Sequence, residues 1–223
     1  MKAWLFDLGN TLMSIPDEYD EERRLQELLD AKSMDDIRSI VYKICDSYPK
    51  QSIQEFISKF NSTVNPINNP VIKNKIEQIW YESVENAVLK PFALEILDSL
   101  HSSGIKLGLV SNTPPTSSLI LERLQLINRF DVVVFSCDVG FLKPDPRIFN
   151  MALRALETPP SQAVIVGDKI RTDILGGAIL GMKSVLVEER LRCVIENGQN
   201  YVDVIVPNLQ SLMNTKFYES NNK

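Results

Sequence analysis

The stretch Phe6-Asp7-Leu8-Gly9-Asn10-Thr11-Leu12 decides how this chain is read. Just ahead of it and overlapping its first residue, Ala3, Trp4, Leu5 and Phe6 form a short apolar run, as a strand buried on both faces requires. Asp7 falls where that strand runs out into a Gly-Asn turn. In an open α/β sheet the carboxyl end of a strand faces the crevice where ligands bind. A carboxylate placed there is able to attack phosphorus and to ligate Mg²⁺. On its own the segment is more simply an ordinary turn. The pattern further along the chain changes that balance.

Residues 17–89 carry helical periodicity throughout and no convincing strand. Ile37, Ile40, Val41 and Ile44 follow the i, i+3, i+4, i+7 spacing, and so do Ile53, Phe56, Ile57 and Phe60. Leu25, Leu28 and Leu29 supply a third apolar face, and Ile72, Ile76, Ile79, Trp80 and Val84 a fourth. Ser52 with Glu55 forms a capping box, and Asn69-Pro70 supplies an N-cap followed by proline at the first helical position. Four short amphipathic helices of this kind bury their stripes against one another.

The remainder reads as strand, loop, helix, repeated. Strands are expected over residues 3–8, 105–110, 132–135, 163–166, 184–187 and 204–206. Helices are expected over 91–102 (ended by Gly104), 116–127, 146–156 and 170–180. Right-handed crossovers between such strands give an α/β fold, a doubly wound and mainly parallel Rossmann-like sheet, with the α-helical segment inserted after the first strand. The expected division is a core of residues 1–13 and 91–215, a helical insertion of 14–90, and a loose tail of 216–223.

Composition narrows the function. The 223 residues allow one domain with an insertion, and 44% hydrophobic with 24% charged residues is ordinary for a globular chain. A net charge of -5 and a pI near 5.1 argue against a nucleic-acid binder, which carries a basic face. No apolar run reaches the roughly 18–20 residues that span a bilayer, and Asp7 interrupts the only apolar run at the N-terminus. Cys45, Cys137 and Cys193 are odd in number and lack metal-like spacing, which fits a reducing compartment. The expectation is a cytoplasmic monomer or homodimer with no membrane and no nucleic-acid partner. The single histidine, His101, sits near a helix end and reads as a C-terminal capping residue.

Four short motifs fall at the ends of proposed strands. They are Asp7 with its turn; Ser111-Asn112 after Leu107-Gly108-Leu109-Val110; Lys143 in Gly140-Phe141-Leu142-Lys143-Pro144-Asp145-Pro146; and Gly167-Asp168 with Asp173 five residues on. Each alone has a plain explanation as a turn or a solvated charge. Together, in this order and at this spacing, they resemble the haloacid dehalogenase-like hydrolase superfamily, in its group with a helical cap after the first motif. The resemblance covers nearly the whole chain and extends to the longer strings 143–149 and 166–178; over residues 14–90 it is architectural only.

What the resemblance implies is a Mg²⁺-dependent hydrolase acting on a small phosphomonoester, with a small phosphorylated metabolite as its partner. Asp7 would be the nucleophile that forms an aspartyl-phosphate. Mg²⁺ would be held by Asp7, the carbonyl of Gly9, Asp168 and, directly or just behind, Asp173. Lys143 would neutralise charge on the transferring group, and Ser111, Asn112 and Lys143 would hold phosphate oxygens.

One position departs from the pattern. Phosphatases of the superfamily usually carry a second aspartate two residues after the nucleophile, where it protonates the leaving group; here that residue is Gly9. Members that cleave carbon–halogen bonds also lack it, so a 2-haloacid dehalogenase or other C–X or C–P hydrolase is the first alternative. A non-catalytic phosphate- or partner-binding protein is the second. The pair Asp168 and Asp173 favours the metal-dependent phosphatase, with water or a residue of the insertion such as Asp17 or Glu18 standing in for the missing acid.

Overall fold

The apolar run Ala3–Phe6 forms strand β1, with every side chain shielded from water. Its side chains alternate between two layers, as the two-residue period of a strand demands. Trp4 and Phe6 pack with Leu107, Leu109, Val164 and Val166 on one face, and Ala3 and Leu5 with Ile148, Phe149 and Ile165 on the other. The computed structural model describes residues 1–65, 67–188 and 201–219. Cys193 lies outside the described residues.

From β1 the chain passes through β2 (Met13–Ser14) into four helices, α1 (Glu21–Leu29), α2 (Met34–Ser47), α3 (Ile53–Val64) and α4 (Pro70–Asn86), and returns through β3 (Val88–Leu89). Elements of the sheet layer follow: α5 (Ala93–Ser102), β4 (Lys106–Ser111), α6 (Ser117–Arg123), β5 (Val132–Phe135), α7 (Ser136–Val139), α8 (Pro146–Ala155), β6 (Ala163–Gly167), α9 (Leu175–Leu180), β7 (Lys183–Val187), β8 (Val204–Val206) and α10 (Lys216–Glu219). Six strands form one parallel sheet in the order β5-β4-β1-β6-β7-β8. The strand order reverses at β1, with β4 on one side and β6 on the other. Asp7, the residue after β1, therefore stands at the topological switch point of a doubly wound α/β sheet.

The helices begin where the sequence marks them. Ser52 and Glu55 form the expected capping box at α3, and Asn69 caps α4 with Pro70 at its first position. A second capping box, Ser33 with Asp36, starts α2. Each such cap satisfies amide groups that a helix start leaves without partners. The four helices close around Trp80, whose ring meets Phe56 at 5.2 Å and Phe60 at 5.6 Å, both edge-on.

Several elements differ from the sequence expectation. Residues 17–89 are not all helical, because β3 pairs antiparallel with β2 and makes a two-stranded ribbon at the neck of the insertion. Ser111 is the last residue of β4 rather than the first residue after it. The segment 170–180 is divided into a π-helical turn, Ile170–Ile174, and α9. Residues 216–219 are no loose tail: they form α10, with Phe217 and Tyr218 buried and Tyr218 edge-on to Trp4. Among the described residues no helix is long and apolar enough to cross a membrane.

Candidate active site

Three strand ends supply the candidate side chains. β1 delivers Asp7, whose amide is fixed by the carbonyl of Val166 at 2.9 Å. β4 delivers Ser111, which donates to Asp7 Oδ1 at 3.3 Å. β6 ends in Gly167 and leads to Asp168 and, through the π-helical turn, to Asp173. A π turn is wider than an α turn and often marks a functional position. Here it brings Asp173 back beneath the strand end, where its Oδ2 accepts from the Lys169 amide at 3.0 Å.

Lys143 ties these parts together. Its side chain is 2% exposed, with Nζ 2.5 Å from Asp7 Oδ1 and 2.6 Å from Asp173 Oδ1. The same ammonium donates to the carbonyl of Val110 at 2.8 Å. Burial works to lower the pKa of this lysine, but Asp7 and Asp173 more than offset it and the net shift is upward. Asn112 holds the lysine's backbone: its side chain donates to the Lys143 carbonyl at 3.0 Å and accepts from the Lys143 amide at 2.7 Å. Asn112 thus positions the lysine, a task the sequence did not suggest beside its expected contact with phosphate.

The carboxylates of Asp7, Asp168 and Asp173 each place an oxygen within 4.8 Å of the others. Lys143 reaches only Asp7 and Asp173, and Oδ1 of Asp168 is shielded from water without a hydrogen-bond partner. Burial, then the neighbouring charge of Asp7, pushes the Asp168 carboxyl up to about 7; burial also raises that of Asp173, against the pull of Lys143. Lys143 pairs with only two of the three clustered carboxylates, and the exposed Lys169 beside the half-buried Asp168 does not offset its burial and the charge of Asp7. An orphaned carboxylate oxygen and an excess of negative charge are what a divalent cation would satisfy, so the donor set fits Mg²⁺.

A cavity of about 300 Å³ opens above Asp7, between the sheet and the helical insertion. From the core it is lined by Asp7, Gly9, Ser111, Asn112, Lys143 and Lys169. From the insertion it is lined by Glu21, Glu22, Arg38, Tyr42 and Trp80, among others. Asp17 and Glu18, the acids that the sequence suggested for this role, are both exposed and lie outside the lining; the Asp17 side chain is 94% exposed. A Cβ built on Gly9 meets no atom within 4 Å, so the space that an aspartate would fill there is open.

Fold and site together are those of an α/β enzyme built around a carboxylate–lysine centre. Residues 5–187 match the haloacid dehalogenase-like hydrolase family, and the chain belongs to it. A glyceraldehyde 3-phosphate phosphatase of Methanothermobacter thermautotrophicus is 32% identical over 202 residues, covering 86% of this chain and 87% of that enzyme. Among solved structures, an HAD phosphatase from Thermococcus onnurineus superposes with a TM-score of 0.66 at 24% identity, covering 96% of this chain and 97% of that one. A 2-haloacid dehalogenase from Pseudomonas syringae pv. Tomato superposes with the same TM-score at 21% identity over the same shares. The protein is a hydrolase of this family, and the shared fold alone does not divide phosphatase from dehalogenase.

Proposed function

We propose that the protein is a Mg²⁺-dependent phosphatase that hydrolyses a small phosphomonoester through an aspartyl-phosphate on Asp7. The observation that carries this reading is the meeting of Asp7, Asp168 and Asp173 within 4.8 Å, with more negative charge than Lys143 balances. Such a centre suits a substrate with anionic oxygens held through a cation. The phosphatase from Methanothermobacter, alike over most of both chains, supports it.

Asp7, Asp168, the carbonyl of Gly9 and, directly or just behind, Asp173 would hold the ion. Mg²⁺ supplies positive charge against the phosphoryl oxygens and keeps adjacent carboxylates ionised. Asp7 attacks phosphorus with one carboxylate oxygen, replacing one difficult hydrolysis by two easier transfers. Lys143 holds Asp7 in place and offers its charge to the phosphoryl group; Ser111, beside Asp7, donates to a phosphoryl oxygen. Asn112 keeps Lys143 in register and lines the same cavity.

Gly9 favours a second reading, a 2-haloacid dehalogenase, because halide leaves without a proton. A dehalogenase has no use for the Asp168–Asp173 pair, which weighs against it. A panel of phosphomonoesters with and without Mg²⁺, run beside chloride release from 2-chloro acids, separates the two. Phosphate release that needs Mg²⁺ and disappears in Asp7→Asn is expected. Chloride release that is indifferent to chelator would replace the phosphatase with the dehalogenase.

A further inference from the structure

We infer that Glu21, on the first turn of α1, is the proton donor to the leaving group, replacing from the insertion the carboxylate that Gly9 lacks. This rests on the phosphatase reading and deepens it. Glu21 lines the same cavity as Asp7 and Gly9. Its Oε2 is shielded from water and has no hydrogen-bond partner.

The other acids that the insertion turns toward this cavity are committed. Asp20 caps α1, accepting from the Arg23 amide at 2.9 Å. Both oxygens of Glu22 are taken by Arg38, Nε at 2.9 Å and one terminal nitrogen closer still. The remaining terminal nitrogen of Arg38 is held by Asp35 at 2.6 Å. Of Asp20, Glu21 and Glu22, Glu21 is the one with a carboxylate oxygen that is both shielded from water and without a hydrogen-bond partner among the described residues.

Its environment suits the task. Burial, with Asp20 and Glu22 adding to it, pushes the Glu21 carboxyl up to about 7, while its own amide and the Ser83 hydroxyl of α4 pull the other way. Around it, α2 contributes Arg38 and Tyr42 to the cavity, and the core contributes Asp7, Lys143 and Lys169. A general acid works best with a pKa near the working pH. Tyr42, whose phenol burial and then Glu22 push up to about 12, is too weak an acid to return its proton readily.

As the bond from Asp7 to phosphorus forms and the ester P–O bond breaks, the Glu21 carboxyl passes its proton to the departing oxygen. The leaving group departs as a neutral alcohol, and Glu21 remains as a carboxylate. That carboxylate then takes a proton from the water whose oxygen attacks phosphorus. The bond to Asp7 breaks, orthophosphate and the Asp7 carboxylate are released, and Glu21 is again an acid.

The test compares kcat/KM for glycerol phosphate, a poor leaving group, with that for 4-nitrophenyl phosphate, a good one, in the presence of Mg²⁺. Glu21→Gln should lower the ratio of the two by about 10²–10⁴-fold, and Glu21→Gln combined with Gly9→Asp should recover much of it. In the unmodified protein the ratio should fall as the pH rises through about 7, which needs no variant to fold. A ratio unchanged by Glu21→Gln in a folded protein overturns the assignment, as does a ratio that does not fall with pH. A wild-type protein that releases phosphate from neither ester refutes the phosphatase reading itself, and the role of Glu21 with it. Phosphate release that depends on Asp7 but not on Glu21 leaves that reading standing and removes this one alone.

Discussion

Lys143 Nζ donates to Asp7 Oδ1 at 2.5 Å from a position that also faces Asp173, so one ammonium is wedged between two carboxylates out of contact with water. Removing one partner of a buried pair costs more than the pair contributes, because the other charge is left uncompensated. Lys143→Met should therefore lose about 3–5 kcal/mol of unfolding free energy at neutral pH. The loss should shrink as the pH falls and the carboxyls take up protons, and it should shrink when Mg²⁺ is added. Urea unfolding with and without Mg²⁺ measures both. A variant as stable as wild type, and indifferent to Mg²⁺, would mean that the three carboxylates do not share one site.

Gly167 makes room for Asp173. A Cβ at residue 167 would lie 2.5 Å from Cβ, Cγ and Oδ2 of Asp173, closer than atoms approach without something moving. Asp173 is itself held by Lys143 and by the Lys169 amide, so its displacement disturbs the acidic cluster rather than a free side chain. Gly167→Ala should weaken Mg²⁺ activation of phosphate release by about 10–100-fold, the usual size for disturbing groups that orient a metal site. A Mg²⁺ titration of activity reads this directly. Half-saturation at the wild-type concentration in the folded variant would show that the site tolerates the shift.

How much of this was legible in the sequence follows from which signals survive without three-dimensional context. Ala3–Phe6 and Ala163–Gly167 stand out because runs buried on both faces are apolar without a break. The two-residue strands β2 and β3 carry no period and so leave no trace. The four residues of α7 are too few to show one. Asp7, Ser111 and Asp168 were visible as residues at strand ends, whereas Lys143, expected at one, lies in the loop between α7 and α8, and its clamp by Asn112 joins segments 31 residues apart and has no local signature. The acidic run from Asp17 to Glu22 offered several possible helix starts. Only the cap by Asp20 fixes the helix phase, and with it the fact that Glu21, not Asp17 or Glu18, faces the cavity. The burial of Phe217 and Tyr218 had a signal, two adjacent aromatics in an otherwise polar end, that outweighs the polar residues around them.

The insertion touches the core at its far end as well as at the β2–β3 ribbon. The Lys50 amide, just beyond α2, donates to the carbonyl of Cys137 in α7 at 2.9 Å. If residues 14–90 swing open about the ribbon, this bond breaks while β2 and β3 remain paired. Exchange of the Lys50 amide proton should therefore be slowed by Mg²⁺ with a phosphate analogue, whereas exchange of the Lys90 amide, which donates to the Leu12 carbonyl across the neck at 2.9 Å, should respond little. Equal protection of Lys50 with and without the analogue would indicate an insertion that stays docked.

Glu21 links the site to stability. Folding raises its pKa from 4.5 to about 7, so the folded protein holds this proton more tightly than the unfolded chain does. Below pH 4.5 both states are protonated and nothing is lost. Between 4.5 and about 7 the unfolded chain gives up the proton first, and stability falls as the pH rises. Above about 7 the folded protein carries a shielded carboxylate at full cost. Glu21→Gln keeps the shape and removes the charge. It should match wild type in acid and exceed it above neutrality by on the order of 1–3 kcal/mol, while hydrolysing alkyl phosphates more slowly. Denaturant unfolding of both proteins across this pH range measures the gap. A difference that stays constant with pH would place the Glu21 carboxylate in water, ionised in the folded protein and unsuited to give a proton to a leaving group.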